Sequence, residues 1–323
     1  NLLQQSEHVA KAAAAYIPAQ INTPTTRKAA GILAGLVVLR QLNGYLNRRA
    51  LNNNTPDPTW DWKNEIVLVT GGTSGIGEHM VRQFAERGIK VVVLDLNPPK
   101  TPFPANVFFY QADITSTETV HEVALRIRKE VGEVTVLINN AGIGNAGSII
   151  GKPEKETRKI YEVNHLSHYV MVREFLPNMI FKNHGHVVTI ASMASFTAPA
   201  MMVDYACTKA AALAFHEGLT QELKHVYKSR RIRTSIVHPS WIRTPLTADL
   251  IKQPYFKDSV MEPQNVAREV VNRVLKGNGF QLIIPSGLSW VSGLRGFPNW
   301  IQETLRDASG GRMREASQLI SGS

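Results

Sequence analysis

The run Thr70-Gly71-Gly72-Thr73-Ser74-Gly75-Ile76-Gly77 constrains this chain more than any other eight residues in it. It follows an apolar stretch, Ile66-Val67-Leu68-Val69, and precedes a segment of helical character from Glu78 to Arg87. A buried strand that turns through glycines into a helix builds a phosphate site. The helix N-terminus offers free N–H groups and a partial positive charge. Glycines let the backbone approach a pyrophosphate with no Cβ in the way. The segment therefore predicts a dinucleotide cradle contributed by Gly71, Thr73, Ser74, Gly75, Ile76 and Gly77.

Strand-like runs recur at 65–70, 90–95, 106–111, 133–138, 186–191, 233–238 and 280–284, with helical stretches such as 116–131 and 263–276 between them. Seven apolar strands alternating with helices predict an α/β fold of Rossmann-like, doubly wound type. Its sheet is parallel and seven-stranded, with helices on both faces. At 43% apolar and 19% charged residues, the chain has enough apolar material for such a core. Its single cysteine, Cys207, excludes an intrachain disulfide and suits a reducing compartment. Cys207 is expected to be buried filler on its helix.

Around this domain, placed at 60–285, lie two extensions. Residues 1–51 read as a helical, membrane-interfacial segment. A short Ala-rich helix at 5–17 is followed by a second that starts near Pro24, with an apolar centre from Ala29 to Leu39. That centre is half the length of a bilayer span, and the stripe continues through Leu42, Tyr45 and Leu46, so a helix lying in the membrane plane is expected. Residues 52–59 read as a linker containing a glycosylation sequon, Asn53-Asn54-Thr55. Residues 286–323 form a C-terminal extension whose Trp290 and Trp300 suit either a membrane contact or a cover for a pocket. The formal charge of +10 fits an anionic membrane surface better than nucleic acid, for which no recognition motif is present. The basic run from Lys224 to Arg233 reads as a solvated helix end. The chain opens on Asn1, so no targeting signal is read from it.

Asp95 closes the second strand about 20 residues beyond the glycines, where an acid accepts hydrogen bonds from an adenosine ribose and repels a 2′-phosphate. With no Arg or Lys in 71–77, NAD is favoured over NADP. Tyr205 and Lys209 stand four apart at the start of a helix, on one face. An ammonium beside a phenol favours the phenolate, so Tyr205 is expected to titrate below its ordinary value and serve as an acid/base. Ser192 ends the preceding strand, where a hydroxyl can donate to a substrate oxygen as charge develops. His165 with His168, and His184 with His186, are spaced as ligand pairs without completing residues, so no metal is expected.

These motifs together resemble the short-chain dehydrogenase/reductases. The glycine run, Asp113, Asn139-Asn140-Ala141-Gly142, Asn164, Ser192, and Tyr205 with Lys209 occur in the family's order. The resemblance implies an enzyme that passes hydride between a substrate carbon and a nicotinamide, without a metal. Asn164, Ser192, Tyr205 and Lys209 would be catalytic, with Tyr205 moving the proton and Asn164 holding a water beside Lys209. Asp95, Asp113, Ile114, Asn140, Ala141, Gly142, Tyr205, Lys209, Pro239, Ile242 and Thr244 would join the glycine turn around the cofactor, with Lys209 on the nicotinamide ribose. Ser240 stands where the family usually has glycine, which leaves the shape of that loop open. The apolar extension and Asp95 look like the retinol and 17β-hydroxysteroid dehydrogenase branch associated with membranes or lipid droplets.

That branch implies a lipophilic secondary or allylic alcohol or ketone as substrate, taken by the apolar loop 240–262. It also implies a homodimer at the endoplasmic reticulum or a droplet, with the catalytic domain facing the cytosol. The alternatives are an NADP-dependent ketone reductase and a non-catalytic NAD-binding scaffold or sensor.

Overall fold

A computed structural model describes residues 23–253 and 256–307. The expected helix at 5–17, Tyr255, and the end of the chain beyond 307 lie outside the described residues. The chain divides into two compact units, Asn1–Ala50 and Leu51–Ser323.

The first unit consists, among its described residues, of one helix, α1 (Pro24–Leu51). None of its side chains is buried. Its 28 residues extend about 42 Å at 1.5 Å per residue, more than the ~30 Å of a bilayer's hydrocarbon. Its most apolar 18-residue window has a mean hydropathy of 1.3. Ile32, Leu33, Leu36, Val37, Val38 and Leu39 are all exposed and lie around the whole circumference. By length and composition α1 can cross a membrane, whereas the short apolar centre alone argued for a helix in the membrane plane.

The second unit is built on seven parallel strands: β1 (Ile66–Thr70), β2 (Lys90–Asp95), β3 (Val107–Gln111), β4 (Val136–Asn139), β5 (His186–Ile190), β6 (Arg233–Pro239) and β7 (Gln281–Ile284). Their order across the sheet is β3-β2-β1-β4-β5-β6-β7. The helices are α2 (Gly75–Ala85), α3 (Thr117–Glu130), α4 (Glu154–Tyr161), α5 (Ser167–Lys182), α6 (Val203–His225), α7 (Ala248–Ile251) and α8 (Pro263–Val274). The seven-stranded, doubly wound expectation therefore holds, with strand ends displaced by no more than a few residues.

Alternation along the strands sorts the core into two layers. Leu68, Val92, Leu137 and Val187 pack on one face against Val123 and Ile127 of α3, Phe175 of α5 and Leu219 of α6. Val67, Val69, Val93 and Ile138 face the other way, onto Phe84 of α2 and Val270 and Val274 of α8. Covering both faces explains why β1, β4 and β5 are buried at every position rather than at alternate ones. Burying each such Val or Leu stabilises the fold by roughly 1.5–3 kcal/mol.

The order in which strands are added to the sheet reverses at β1. That strand pairs with β2 on one side and β4 on the other, so a crevice opens beyond their C-terminal ends. Every candidate cofactor residue lies at that edge or just past it.

Four expectations about the surroundings need correction. Residues 52–59 are packed against the domain rather than linking to it. Arg233 is fully buried at the start of β6 and donates to the carbonyls of Asn52 (2.9 Å) and Thr55 (2.8 Å). A buried guanidinium requires such partners, so the basic run does not end as a solvated face. The Asn53 amide, read as part of a sequon, is likewise buried and donates to Arg230 O at 3.0 Å, leaving no room for a glycan in this fold. Cys207, expected to be buried, is exposed. Two residues past Tyr205 turns a side chain about 200° around the helix, away from the face that Tyr205 and Lys209 bury.

The C-terminal extension also joins the core. A 3-10 segment, Ser286–Gly296, buries Val291 and Leu294, with Val291 clustered on Phe196 and Ile283. Trp290 and Trp300 stay exposed.

Candidate active site

The glycine turn is held in a shape other residues cannot take. Gly71 has φ +65° and Gly75 has φ +55°, both in the left-handed region that favours glycine. A Cβ at Gly71 would lie 2.8 Å from the Ala141 backbone. A Cβ at Gly77 would run into the Gly71 carbonyl and the Asn140 amide. Asn140 uses that amide to tie the turn to β4, donating to Thr70 O (2.9 Å) and Gly71 O (3.1 Å). Thr70 Oγ1 in turn accepts from the N–H groups of Asn140 and Ala141, both at 3.0 Å. Ser74 caps α2 in extended conformation. The free N–H groups of the first helical turn, including Ile76, thus open onto the crevice.

The acids stand beside this cradle. Asp95 Oδ2 accepts from both the N–H (3.1 Å) and the hydroxyl (2.7 Å) of buried Thr73. Asp113 Oδ1 accepts from Thr115 N–H (2.9 Å) and Oγ1 (2.6 Å). Partial burial raises the Asp113 carboxyl, but the Thr115 hydrogen bonds and nearby Lys159 outweigh it and hold the group below the usual carboxylate range. Ile114 is buried behind Asp113. On the far side, Thr244 reaches the turn: its Cγ2 would touch a Cβ placed on Gly75 at 3.3 Å. Pro239 ends β6 opposite Ile284, and Ser240 continues the pairing by donating to Ile284 O at 2.8 Å. Ile242 is buried and bridges Met261, which closes the base of the loop 240–262. The departure from glycine at Ser240 is accommodated there without disturbing that closure.

The four candidate catalytic side chains converge at the ends of β4, β5 and α6. Ser192 stands two residues past β5; its Oγ accepts from Ala194 N–H (3.1 Å) and hydrogen-bonds the Tyr205 hydroxyl. Lys209 is buried, with Nζ donating to Ile190 O at 3.0 Å and standing 5.6 Å from the centre of the Tyr205 ring. Asn164 lies in a π-turn, Glu162–Leu166, between α4 and α5. Such bulges insert an extra residue and re-aim a side chain. Its amide clamps Ile143 from both sides, accepting from Ile143 N–H and donating to Ile143 O, each at 2.8 Å, and also donates to Thr208 Oγ1. Gly142 separates Asn164 Oδ1 from Lys209 Nζ, with a Cβ there falling 3.5 and 3.6 Å from the two.

The electrostatics differ from the expectation in one respect. Burial pushes the Tyr205 phenol above its ordinary value, with the Ser192 hydrogen bond opposing it. The Lys209 charge does not reverse this. Burial pushes the ammonium itself down to about 8, and its bond to Ile190 O directs it along the strand end rather than at the phenolic oxygen. Buried His238, held neutral at about 4 mainly by desolvation, adds Nδ1 3.1 Å from Ser192 O. His184, weighed as a metal ligand, is instead ion-paired to Glu65 (3.2 Å) and Asp57 (3.3 Å). His186 bonds Ser235 at 2.7 Å.

Sequence reading did not single out Ile143, Gly144, Thr208 or His238. Gly144 lies against the Tyr205 ring, since a Cβ there would come within 2.9 Å of Tyr205 Cδ2. The glycine spacing at 142, 144, 147 and 151 was the available signal.

A family model described as short chain dehydrogenase matches residues 65–254. The chain belongs to the short-chain dehydrogenase/reductase family. It is 45% identical over 209 residues to Dehydrogenase RED2 of Cochliobolus heterostrophus, covering 64% of this chain and 79% of that one. Identity is 31% over 252 residues to rat (Rattus norvegicus) estradiol 17-beta-dehydrogenase 11, with 75% and 83% covered. It is 34% over 221 residues to mouse (Mus musculus) epidermal retinol dehydrogenase 2, with 66% and 71% covered. These relatives put this short-chain dehydrogenase/reductase in the hydroxysteroid and retinol dehydrogenase branch. A Burkholderia cenocepacia short-chain dehydrogenase, solved in complex with NADP, shares the fold at a TM-score of 0.65 and 24% identity, over 76% of this chain and 99% of that one.

Proposed function

We propose that this family member is an NAD-dependent oxidoreductase that interconverts a lipophilic secondary or allylic alcohol and its carbonyl. The observation that carries the reading is the convergence of Ser192, Tyr205, Lys209 and Asn164 beside a glycine turn whose Cβ-sized spaces are closed to side chains. A binding scaffold needs the turn but has no use for a serine–tyrosine pair hydrogen-bonded at the crevice.

The residues fit NAD. Gly71, Gly75 and Gly77 leave the close approach a pyrophosphate requires, and Asp95 stands where the adenosine ribose would lie. Thr73 already fills part of the Asp95 carboxylate and pre-orients the rest, which favours a ribose diol over a 2′-phosphate. Asp113 and Ile114 would receive the adenine; Ala141, Gly142, Pro239, Ile242 and Thr244 would hold the nicotinamide end. Bound NAD supplies the hydride acceptor. Tyr205 takes the alcohol proton in oxidation and returns it in reduction. Ser192 orients the reacting oxygen by donating to it. Lys209 binds the nicotinamide ribose and, in the loaded enzyme, brings positive charge to a phenol that burial alone would keep protonated. Asn164 fixes the Ile143–Gly144 backbone against the ring and holds the water beside Lys209.

The loop 240–262 supports an apolar substrate. Trp241 packs edge-on to Phe256 at 5.2 Å, and Ile242 is buried below them. The exposed apolar α1 supports attachment to a membrane or lipid-droplet surface. The endoplasmic reticulum or a droplet as the compartment, the catalytic domain on the cytosolic side and a homodimer as the assembly complete the proposal. NADH formation with estradiol, retinol and long-chain alcohols, compared with Tyr205→Phe, tests the reading. Loss of turnover in the variant supports it; binding of NAD with no turnover on any of the three classes defeats it.

A further inference from the structure

Between β4 and α4 the chain runs from 140 to 153 without a helix or strand, and four of the residues from 142 to 151 are glycine. A segment of that composition loses much conformational freedom when ordered. It nonetheless lies directly against the catalytic ring at Gly144. Something must therefore hold it.

Three fastenings are already described or ordinary: the Asn164 clamp on Ile143, a backbone bond from Gly147 N–H to Met201 O at 2.8 Å, and the Asn145 amide donating to Glu156 Oε2 at 2.5 Å. The fourth is unusual. Lys152 Nζ donates to Asp204 Oδ2 at 2.6 Å and to Asn145 O at 2.9 Å. The two side chains are only 4% and 9% exposed. Lysine and aspartate are seldom buried so fully, and a pair survives burial only with good geometry and further hydrogen bonds. Both conditions hold here. Asp204 uses its other oxygen to accept from the N–H of Tyr205 at 2.8 Å. The lysine stem also props the segment, because a Cβ on Gly147 would come within 2.7 Å of Lys152 Cε.

We propose that the buried Lys152–Asp204 pair is a positioning device that locks residues 143–152 to the N-terminal turn of α6, making them a fixed wall on the substrate side of Tyr205. One end of the lock is the residue next to the catalytic tyrosine; the other is the end of the segment that touches its ring. Neither Lys152 nor Asp204 is among the candidate cofactor residues, so the proposal places the contribution of the pair on the substrate. The inference rests on the oxidoreductase reading only for its kinetic consequence; the structural lock stands apart from it.

The test pairs amide hydrogen exchange with steady-state kinetics on the full chain in detergent. The variants are Lys152→Met, Asp204→Asn, Gly147→Ala and Lys152→Arg. The expected result is faster exchange, by about tenfold or more, confined to peptides covering 143–152 and 197–204, with α2 and β1 unchanged. With estradiol or retinol as probe, KM rises by about tenfold while NAD affinity stays within about twofold, and Lys152→Arg restores most of the loss. Lys152→Met combined with Asp204→Asn removes both charges and serves if a single unpaired charge prevents folding. Unchanged exchange at 143–152 overturns the proposal. So does accelerated exchange across the whole sheet with lost NAD affinity, which would make the pair a general stabiliser. A wild type that turns over no alcohol, while its variants still loosen only this segment, defeats the oxidoreductase reading and leaves the lock in place.

Discussion

Thr73 and Asp95 are joined twice: both the backbone N–H and the hydroxyl of Thr73 donate to the same carboxylate oxygen of Asp95. The link ties the glycine turn after β1 to the end of β2, so the acid cannot swing away from the crevice. Replacing Asp95 with Ser removes the charge that repels a 2′-phosphate and frees Thr73. The expected outcome is roughly tenfold weaker NAD binding, about 1.4 kcal/mol, with NADP binding improved. Titration of both dinucleotides by tryptophan fluorescence checks it; unchanged preference would remove Asp95 from the cofactor site.

Gly71→Ala places a Cβ against the Ala141 backbone at a residue whose φ is +65°. Strain of this kind costs about 1–3 kcal/mol. The variant should melt several degrees lower and lose NAD binding. Gly88→Ala, with φ +76° but open space around its Cβ, should lose stability without losing cofactor. Differential scanning fluorimetry with and without NAD separates the two.

His184 gives stability a pH dependence. Its hydrogen bond to Glu65 raises the imidazole above its ordinary value, with desolvation opposing it, and Asp57 adds to the rise. Glu65 is held low by His184, Thr135 and Asp61, which outweigh its own desolvation. The histidine's share is complete below the unfolded value of about 6.5 and disappears as pH rises through the folded value. The Glu65 share is complete above about 4.3 and disappears as pH falls through its folded value. Thermal melts should therefore fall as pH rises beyond about 6.5. His184→Gln should lower stability by roughly 1–3 kcal/mol at pH 6 and flatten that decline. An unaltered pH profile in the variant would contradict the assignment.

Lys209 is a buried cation that burial holds at about 8, so its charge opposes folding near neutral pH. Lys209→Met is expected to melt no lower than the wild type, and higher below pH 8, while turnover is lost. Stability sacrificed at a functional site takes this form. A large fall in melting temperature would instead make Lys209 a structural residue.

The sheet was legible because both faces of its central strands are buried, which writes Ile66–Val69 of β1, Val91–Leu94 of β2 and Val136–Ile138 of β4 as unbroken apolar runs. The glycine turn and the Tyr205–Lys209 spacing were legible because backbone geometry and helix periodicity restrict which residues serve there. What escaped was tertiary. Arg233 reads as a surface charge until the carbonyls of Asn52 and Thr55 fold over it, and the same strap buries Asn53. Lys152 and Asp204 are 52 residues apart, and nothing local marks either as buried. The direction of the Tyr205 shift was misread because spacing places Lys209 on the same helix face, whereas its bond to Ile190 O turns the ammonium along β5.

The most direct test of the account is NADH formation from a lipophilic alcohol by the purified chain and by Tyr205→Phe, with NAD binding measured on both. The account predicts turnover in the wild type, a fall of about a hundredfold or more in the variant, and equal NAD affinity. Equal turnover in the two proteins would contradict the assignment of Tyr205 as the group that moves the proton.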